Sequence, residues 1–460
     1  MIISKELISS LKIENSNEIG NLISQQNDVS TINFILENLG KLPSDFDGKF
    51  LFNLLNHPNK QVRVNVIKTI GKLAYKYNLD YFKKLFQEEK ETIVKREIIS
   101  TIGRQRDLKN VDFLLSILED EDPKIVCQAI RSLIIFDDIK KVSQELKKLI
   151  NHPNEMVRTA IYKKYFSTED NNKSKLPHTK TYEFLKNVVV NGDVLKVLEY
   201  VPDDSFHLTF TSPPYYNARD YSIYPSYESY LEFLNQVFQQ IHRTTKEGRF
   251  LIVNTSPIII PRISRAHSSK RYGIPFDLHY YLVKNGWEFI DDIIWLKPET
   301  SVKNRIGGFM QHKKPLGYKP NPVTEYLMVY RKETTKLLDW NIRQYSEEIV
   351  TESKVTGDYE TSNVWKIDPC FDKVHSAVFP QELCRKVIQY YSYKGDLVFD
   401  PFGGSGTVGK VAKALDRLFF LTEQNVEYFN YIQSQESTPS LFQKRKTKFL
   451  TFTEFQNISF

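Results

Sequence analysis

The stretch "GDLVFDPFGGSGTVGKVAKALDR", residues 395–417, decides the reading of the C-terminal part of the chain. A short apolar strand ends at Asp400-Pro401-Phe402, three glycines follow at Gly403, Gly404 and Gly406, and a helix-like segment begins at Thr407. Glycine reaches positive φ without strain and lets the backbone lie close against a ligand. A second apolar run, "RLFFLT" at 417–422, follows that helix and stops at Glu423. Glu423 stands nineteen residues past Gly404, where a carboxylate can hold both hydroxyls of a ribose. Strand, glycine loop, helix, strand and acid in this order indicate a nucleoside-binding α/β unit. No Gly-Lys-Ser/Thr ending follows the glycines, and the loop stands late in its domain, so a nucleoside cofactor without a phosphate requirement is favoured.

From about residue 184 the runs "FHLTF", "RFLIVN", "FIDDIIWL" and "TEYLMVY" alternate with helix-like segments. That pattern predicts an α/β domain with a largely parallel sheet and ligands at the carboxyl ends of its strands. One such end is "LTFTSPPYYNARDY", residues 208–221. Pro213 and Pro214 fix two φ angles and remove two amide donors, and each keeps its predecessor out of the helical region. A stiff, extended tip results, carrying the Ser212 hydroxyl and the Tyr215 ring.

Residues 1–166 read differently. "QVRVNVIKTIG", "IVKREIISTIG", "IVCQAIRSLI" and "MVRTAIYKKYF" align on Val62, Val94, Val126 and Val157, at spacings of 32, 32 and 31 residues. Apolar or aromatic residues recur four and eight positions later in each, which puts one stripe on one helix face. Such units cannot bury their faces alone and must stack into a solenoid; an ordinary helical bundle is the competing reading. The polar segment 167–183 is a linker.

Composition sets bounds. With 460 residues, 41% of them hydrophobic and 13% aromatic, the chain is long enough for two or three globular domains. Three cysteines without a CxxC pair supply no metal site and fit a reducing, cytoplasmic setting, and the N-terminus holds no uninterrupted apolar segment to anchor in a membrane. The net charge is +7, but residues 297–332 carry eight basic side chains against two acids, Lys303, Arg305, Lys313 and Lys314 among them. Residues 255–275 add Arg262, Arg265, Lys270 and Arg271 with no acid. Such clustering is the footprint of a polyanion site, with a solvated loop surface as the plain alternative. The N-terminal 166 residues are nearly balanced, with 26 basic and 22 acidic side chains, so a protein-docking and a DNA-backbone role are both open there.

Taken together, "TSPPY" and "DPFGGSGT" resemble the β-class DNA amino-methyltransferases, in which the catalytic tetrapeptide precedes the cofactor loop. The resemblance extends over nearly all of residues 184–435, and the 32-residue period resembles HEAT-type repeats. It implies a Rossmann-like, S-adenosylmethionine-dependent methyltransferase domain with permuted motif order behind an all-α solenoid. By the family's pattern Asp193 would meet the adenine amine, Phe379 and Pro380 the methionine end, and Glu423 the ribose. Asp400, Phe402 and the backbone of Gly403, Gly404, Gly406 and Thr407 would cradle the cofactor. Ser212 and the Pro213 carbonyl would accept the hydrogens of a flipped base's exocyclic amine, with Pro214 keeping the turn rigid and Tyr215 stacked on the base. Serine at the first tetrapeptide position resembles the cytosine-N4 enzymes, whereas adenine-N6 enzymes more often carry Asp or Asn.

The expected function is therefore site-specific cytosine-N4 methylation of double-stranded DNA, as the modification enzyme of a restriction-modification system. An adenine-N6 enzyme is the alternative, and a catalytically inactive HEAT-repeat adaptor is the alternative from another class. The expected domains are repeats at 1–166, a methyltransferase domain at 184–435 with a target-recognition region near 333–374, and a tail at 436–460 that is either a final strand or a basic extension. The repeats would dock a cognate restriction endonuclease or clamp flanking DNA; the oligomeric state is unknown.

Overall fold

Val62, Val94, Val126 and Val157 are completely buried, one on each of the helices Lys60–Ile70, Thr92–Arg104, Pro123–Leu133 and Glu155–Tyr165. Val66, Ile98, Ile130 and Ile161, one turn on, are buried with them, so the repeat register is the core register. The turns before these helices repeat too. Asn59 and Asn154 cap their helices, each donating its own N–H to the preceding histidine ring. Arg63 and Arg158 then tie down the carbonyls of His57 and His152 at 2.8 and 2.7 Å. Between repeats, Thr101 and Ser132 donate to the carbonyls of Ile67 and Ile99 on the preceding helix, a close approach that small hydroxyl residues allow.

This computed structural model describes residues 3–73, 79–166, 176–216, 224–260, 269–302, 315–316, 318, 320–355, 357, 359–370, 379–436 and 446–459. The chain divides into two units, Met1–Asn171 and Asn172–Phe460. Residues 176–183, expected as linker, already belong to the second: the His178 carbonyl meets the His207 ring at 2.9 Å.

The strands of the second unit are β1 (Val188–Asn191), β2 (Phe206–Thr211), β3 (Thr245–Thr255), β4 (Ile258–Ile260), β5 (Lys270–Tyr272), β6 (Trp287–Leu296), β7 (Thr324–Lys332), β8 (Val364–Lys366), β9 (Leu397–Asp400), β10 (Leu418–Glu423) and β11 (Lys448–Thr451). Nine of them form one sheet in the order β11-β1-β10-β9-β2-β3-β7-β6-β8, while β4 and β5 pair separately. From β11 to β3 every pairing is parallel, and β7 runs antiparallel to both its neighbours. Leu397 and Phe399 face one helical layer and Val398 the other, the strict alternation of a strand covered on both sides. Phe206 stacks on Phe399 at 4.2 Å and 10° within the first layer.

β9 leads outward to β10 and β2 outward to β3, so adjacent strands diverge at β9/β2. A crevice opens at the carboxyl ends of such a switch point. The opposite, amino end is closed by a buried ionic cluster. Burial is the largest influence on Asp396 and works against its ionisation, but the Arg249 guanidinium, His207, the Tyr345 hydroxyl and the Tyr393 N–H together hold the carboxyl below its usual range. Tyr345 donates to the same carboxylate at 2.6 Å, and Asn341 bonds Arg331 and the Glu247 carbonyl. Residues 338–345, inside the expected target-recognition region, are bound to the framework on the far side of the sheet from the crevice. In the tail, residues 448–458 form β11 and the helix Phe452–Ile458, with β11 paired in register to β1, so the final-strand reading of that segment holds there.

Candidate active site

The glycine loop builds one wall. Gly403 donates to the Thr422 carbonyl at 2.9 Å, which folds the loop onto the end of β10. Gly406 sits at φ +76° as the cap of the helix Thr407–Ala414, and a Cβ there would meet Ile432 at 2.9 Å. That position requires glycine for conformation and for space. Glu423, at the tip of β10, accepts the Gly404 and Asn425 N–H groups, both at 2.7 Å. Burial still raises its pKa, although these backbone donors oppose the shift.

Asp400 closes β9. Burial pushes its carboxyl up to about 8; the Thr211 hydroxyl at 2.7 Å and the Phe402 N–H at 3.1 Å oppose this, and Glu423 adds to it. Through Thr211 the ends of β9 and β2 are joined directly, so the glycine-loop side and the Ser212 tip are held as one piece. Beyond Thr211 the tip runs through Pro213 and Pro214 to Tyr215, whose hydroxyl donates to Glu325 at 3.2 Å. Enclosure and the Glu325 charge raise the phenol's pKa.

A single cavity of about 360 Å³ joins these walls. Of the residues expected at the site, Asp193, Ser212, Pro213, Pro214, Tyr215, Phe379, Asp400, Phe402, Gly403, Gly404, Thr407 and Glu423 line it. Asp193 also caps the helix Val194–Leu198, its Oδ1 accepting from Leu195 and Lys196. Phe379 stacks on Phe210 at 4.6 Å, and Pro380 caps the helix Gln381–Tyr391 behind it. Lys270 and Arg271 are exposed on β5; Arg262, Arg265, Lys303, Arg305, Lys313 and Lys314 lie outside the described residues. Sequence reasoning missed Tyr224 and Phe233, which line the cavity beside Phe402, and the Glu325–Lys297 ion pair behind Tyr215. Phe233 is signalled only by its place on the helix Tyr227–Thr244, and Glu325 only by its place at a strand end. Among the described residues no cluster of His, Cys, Asp or Glu could hold a metal, and no helix is long and apolar enough to cross a membrane.

Comparison with known proteins agrees with this geometry. The DNA methylase family matches residues 206–434 and the HEAT repeats family residues 79–163. The Type II methyltransferase M.Cfr9I of Citrobacter freundii is 31% identical over 287 residues, which make up 55% of this chain and 89% of that protein. The chain belongs to the DNA methylase family. It is a DNA methyltransferase of the N6/N4 type, with a Rossmann-like catalytic unit behind helical repeats. The Type II beta methyltransferase M.BslI of Bacillus sp. (strain NEB-606) is 26% identical over 57% of the methylase but only 28% of its own length, so the match spans under a third of that relative. Among solved structures, a protein described as a DNA modification methylase of Thermus thermophilus, complexed with S-adenosyl-L-methionine, covers 58% of the methylase and 98% of its own chain at 22% identity and a TM-score of 0.46. The cytosine-N4-specific PvuII DNA methyltransferase covers 62% and 93% at 19% identity and a TM-score of 0.42.

Proposed function

We propose that this methylase transfers a methyl group from S-adenosylmethionine to the exocyclic N4 of cytosine in duplex DNA, as the modification enzyme of a restriction-modification system. One observation carries the reading: a single cavity runs from the glycine loop and Glu423 to Ser212, so donor and acceptor share an enclosure. The donor set fits the cofactor. Glu423 is fixed beside the glycine turn by two backbone amides, where it would meet the ribose, and the carboxyl of Asp400 lies within the same walls. S-adenosylmethionine, when bound, supplies an electrophilic methyl on a sulfonium.

The chain's residues supply position. An exocyclic amine is a weak nucleophile because its lone pair is delocalised into the ring. The Ser212 oxygen and the Pro213 carbonyl, accepting its two hydrogens, favour the pyramidal nitrogen that attacks in line. Prolines keep those acceptors from turning away. A paired base cannot reach the cavity, so it leaves the stack and lies against the Tyr215 ring. Lys270 and Arg271, with the neighbouring basic windows, would meet backbone phosphates.

Ser212→Ala should abolish methyl transfer to duplex DNA while the fold and S-adenosylmethionine binding persist. Mass spectrometry of nucleosides from the methylated DNA should give N4-methylcytosine. Recovery of N6-methyladenine alone would replace the cytosine reading by the adenine one.

A further inference from the structure

β4 and β5 form a two-stranded sheet of their own, three residues on each strand. Such a hairpin is marginal in water unless it packs against something else. Tyr272, the last residue of β5, supplies that packing. Its ring lies 4.3 Å from the ring of Tyr227 and 5.1 Å, edge-on, from that of Tyr216. Ile258, paired with Tyr272 across the hairpin, is buried in the same hydrophobic layer. Tyr216 is 8% exposed and directly follows Tyr215 at the end of the proline tip. Tyr227 opens the helix Tyr227–Thr244 and donates its hydroxyl to Asp277 at 2.7 Å. Further along that helix, the completely buried Tyr230 packs against Tyr216 at 5.6 Å and against the cavity-lining Tyr224 at 5.1 Å. Hairpin, tip and cavity wall thus share one aromatic support.

The hairpin also carries charge. Side chains alternate along a strand, so Lys270 and Tyr272 share one face of β5. The Lys270 ammonium lies 4.8 Å over the Tyr272 ring, and Lys270 and Arg271 are both exposed. One ring therefore touches the residue that ends the tip and carries a cation at the surface. Phosphate contacts set the register of a protein on a duplex, and contacts made by a loose hairpin would set none. We propose that Tyr272 is a positioning residue: lodged between Tyr216 and Tyr227, it registers the Lys270 and Arg271 hairpin against the Ser212 tip, so that the phosphates it holds bring the target nucleotide to the cavity. The proposal rests on the reading that Lys270 and Arg271 meet backbone phosphates.

Equilibrium binding of the full chain to duplex DNA, titrated against salt, tests it. Each phosphate contact contributes about 0.9 to the log–log slope, so the double variant Lys270→Ala with Arg271→Ala should lower the slope by roughly 1–2. Tyr272→Leu keeps both charges, yet should lower it by at least about 0.9, because the cations are no longer held at the phosphates. Tyr272→Phe retains the ring and should keep the wild-type slope. Tyr227→Ala removes the stacking partner from the helix side and should lower the slope as Tyr272→Leu does, so it carries the test even where Tyr272→Leu fails to fold. Adding Tyr272→Leu to the double charge variant should lower the slope no further, since both remove the same contacts. A merely structural role would change stability and leave the slope, which counts phosphates, where it was. With the charge variant lowered, a wild-type slope in Tyr227→Ala or in a folded Tyr272→Leu overturns the proposal and leaves the phosphate reading standing; so does a lowered slope in Tyr272→Phe. A wild-type slope in the charge variant removes the phosphate reading and the proposal with it.

Discussion

Asp400 is the residue whose chemistry is most displaced from its usual state. With its carboxyl pushed up to about 8, mainly by burial, it is protonated at pH 7 in the protein alone. A ligand carrying a sulfonium and an ammonium favours the ionised form, so S-adenosylmethionine binding at pH 7 should release close to one proton from this site. Affinity should then strengthen by up to about tenfold per pH unit below 8 and level off above it. Calorimetry at pH 7 in two buffers of different ionisation enthalpy reads the released proton directly, and Asp400→Asn should lower it by nearly one; equal proton counts in the two proteins would refute the assignment. The sign for stability follows from the same shift. A carboxyl with a raised folded pKa weakens the fold as pH rises from about 4 toward 8, so Asp400→Asn should raise the melting temperature at pH 8 and change it little at pH 4. Asp400, Glu423 and Ser212 were legible in the sequence because each ends an apolar run. Glu325 was not: it lies 110 residues from Tyr215 and 28 from Lys297, and only the β6/β7 pairing unites them.

At the scale of elements, the strand–glycine loop–helix unit was readable because its glycines are physically required. Gly406 combines a left-handed backbone with a Cβ direction filled by Ile432. Gly406→Ala should cost about 1–2 kcal/mol for the backbone alone, with added repulsion from Ile432. It should lower the melting temperature by several degrees. Adding Ile432→Ala should recover the steric part and leave the backbone part; a double variant no better than Gly406→Ala would show that the packing of Ile432 is irrelevant. The repeat helices were equally legible, since a period of 32 residues with a four-residue inner spacing places one apolar stripe on each helix in the same register. What escaped was the role of the segment around Leu338–Ile342. A polar stretch such as "DWNIRQYSEE" looks like a recognition loop, and nothing local announces that Asn341 and Tyr345 complete a buried cluster with Arg331, Arg249 and Asp396. Charge partners distant in sequence leave no periodic trace.

For the whole molecule, the decisive fact is that the two units own separate cores. Every buried residue of one hydrophobic cluster lies between Ile8 and Ile161, and those of the other two lie between Leu185 and Phe455. The cavity draws all its walls from residues 192–428. A unit with its own core folds alone as a rule, so a protein comprising residues 172–460 should fold, bind S-adenosylmethionine within about threefold of the full chain and methylate DNA. The same truncation separates the roles left to the repeats. Their charge is close to even, with 26 basic against 22 acidic side chains, which argues for a protein-docking surface over a clamp on DNA. A clamp that neutralised several phosphates would steepen the salt dependence of DNA binding by about 0.9 in log–log slope for each. The expected outcome is therefore an unchanged slope when the binding of full-length and truncated proteins to duplex DNA is titrated against salt. A slope lowered by two or more in the truncated protein would assign the repeats to DNA.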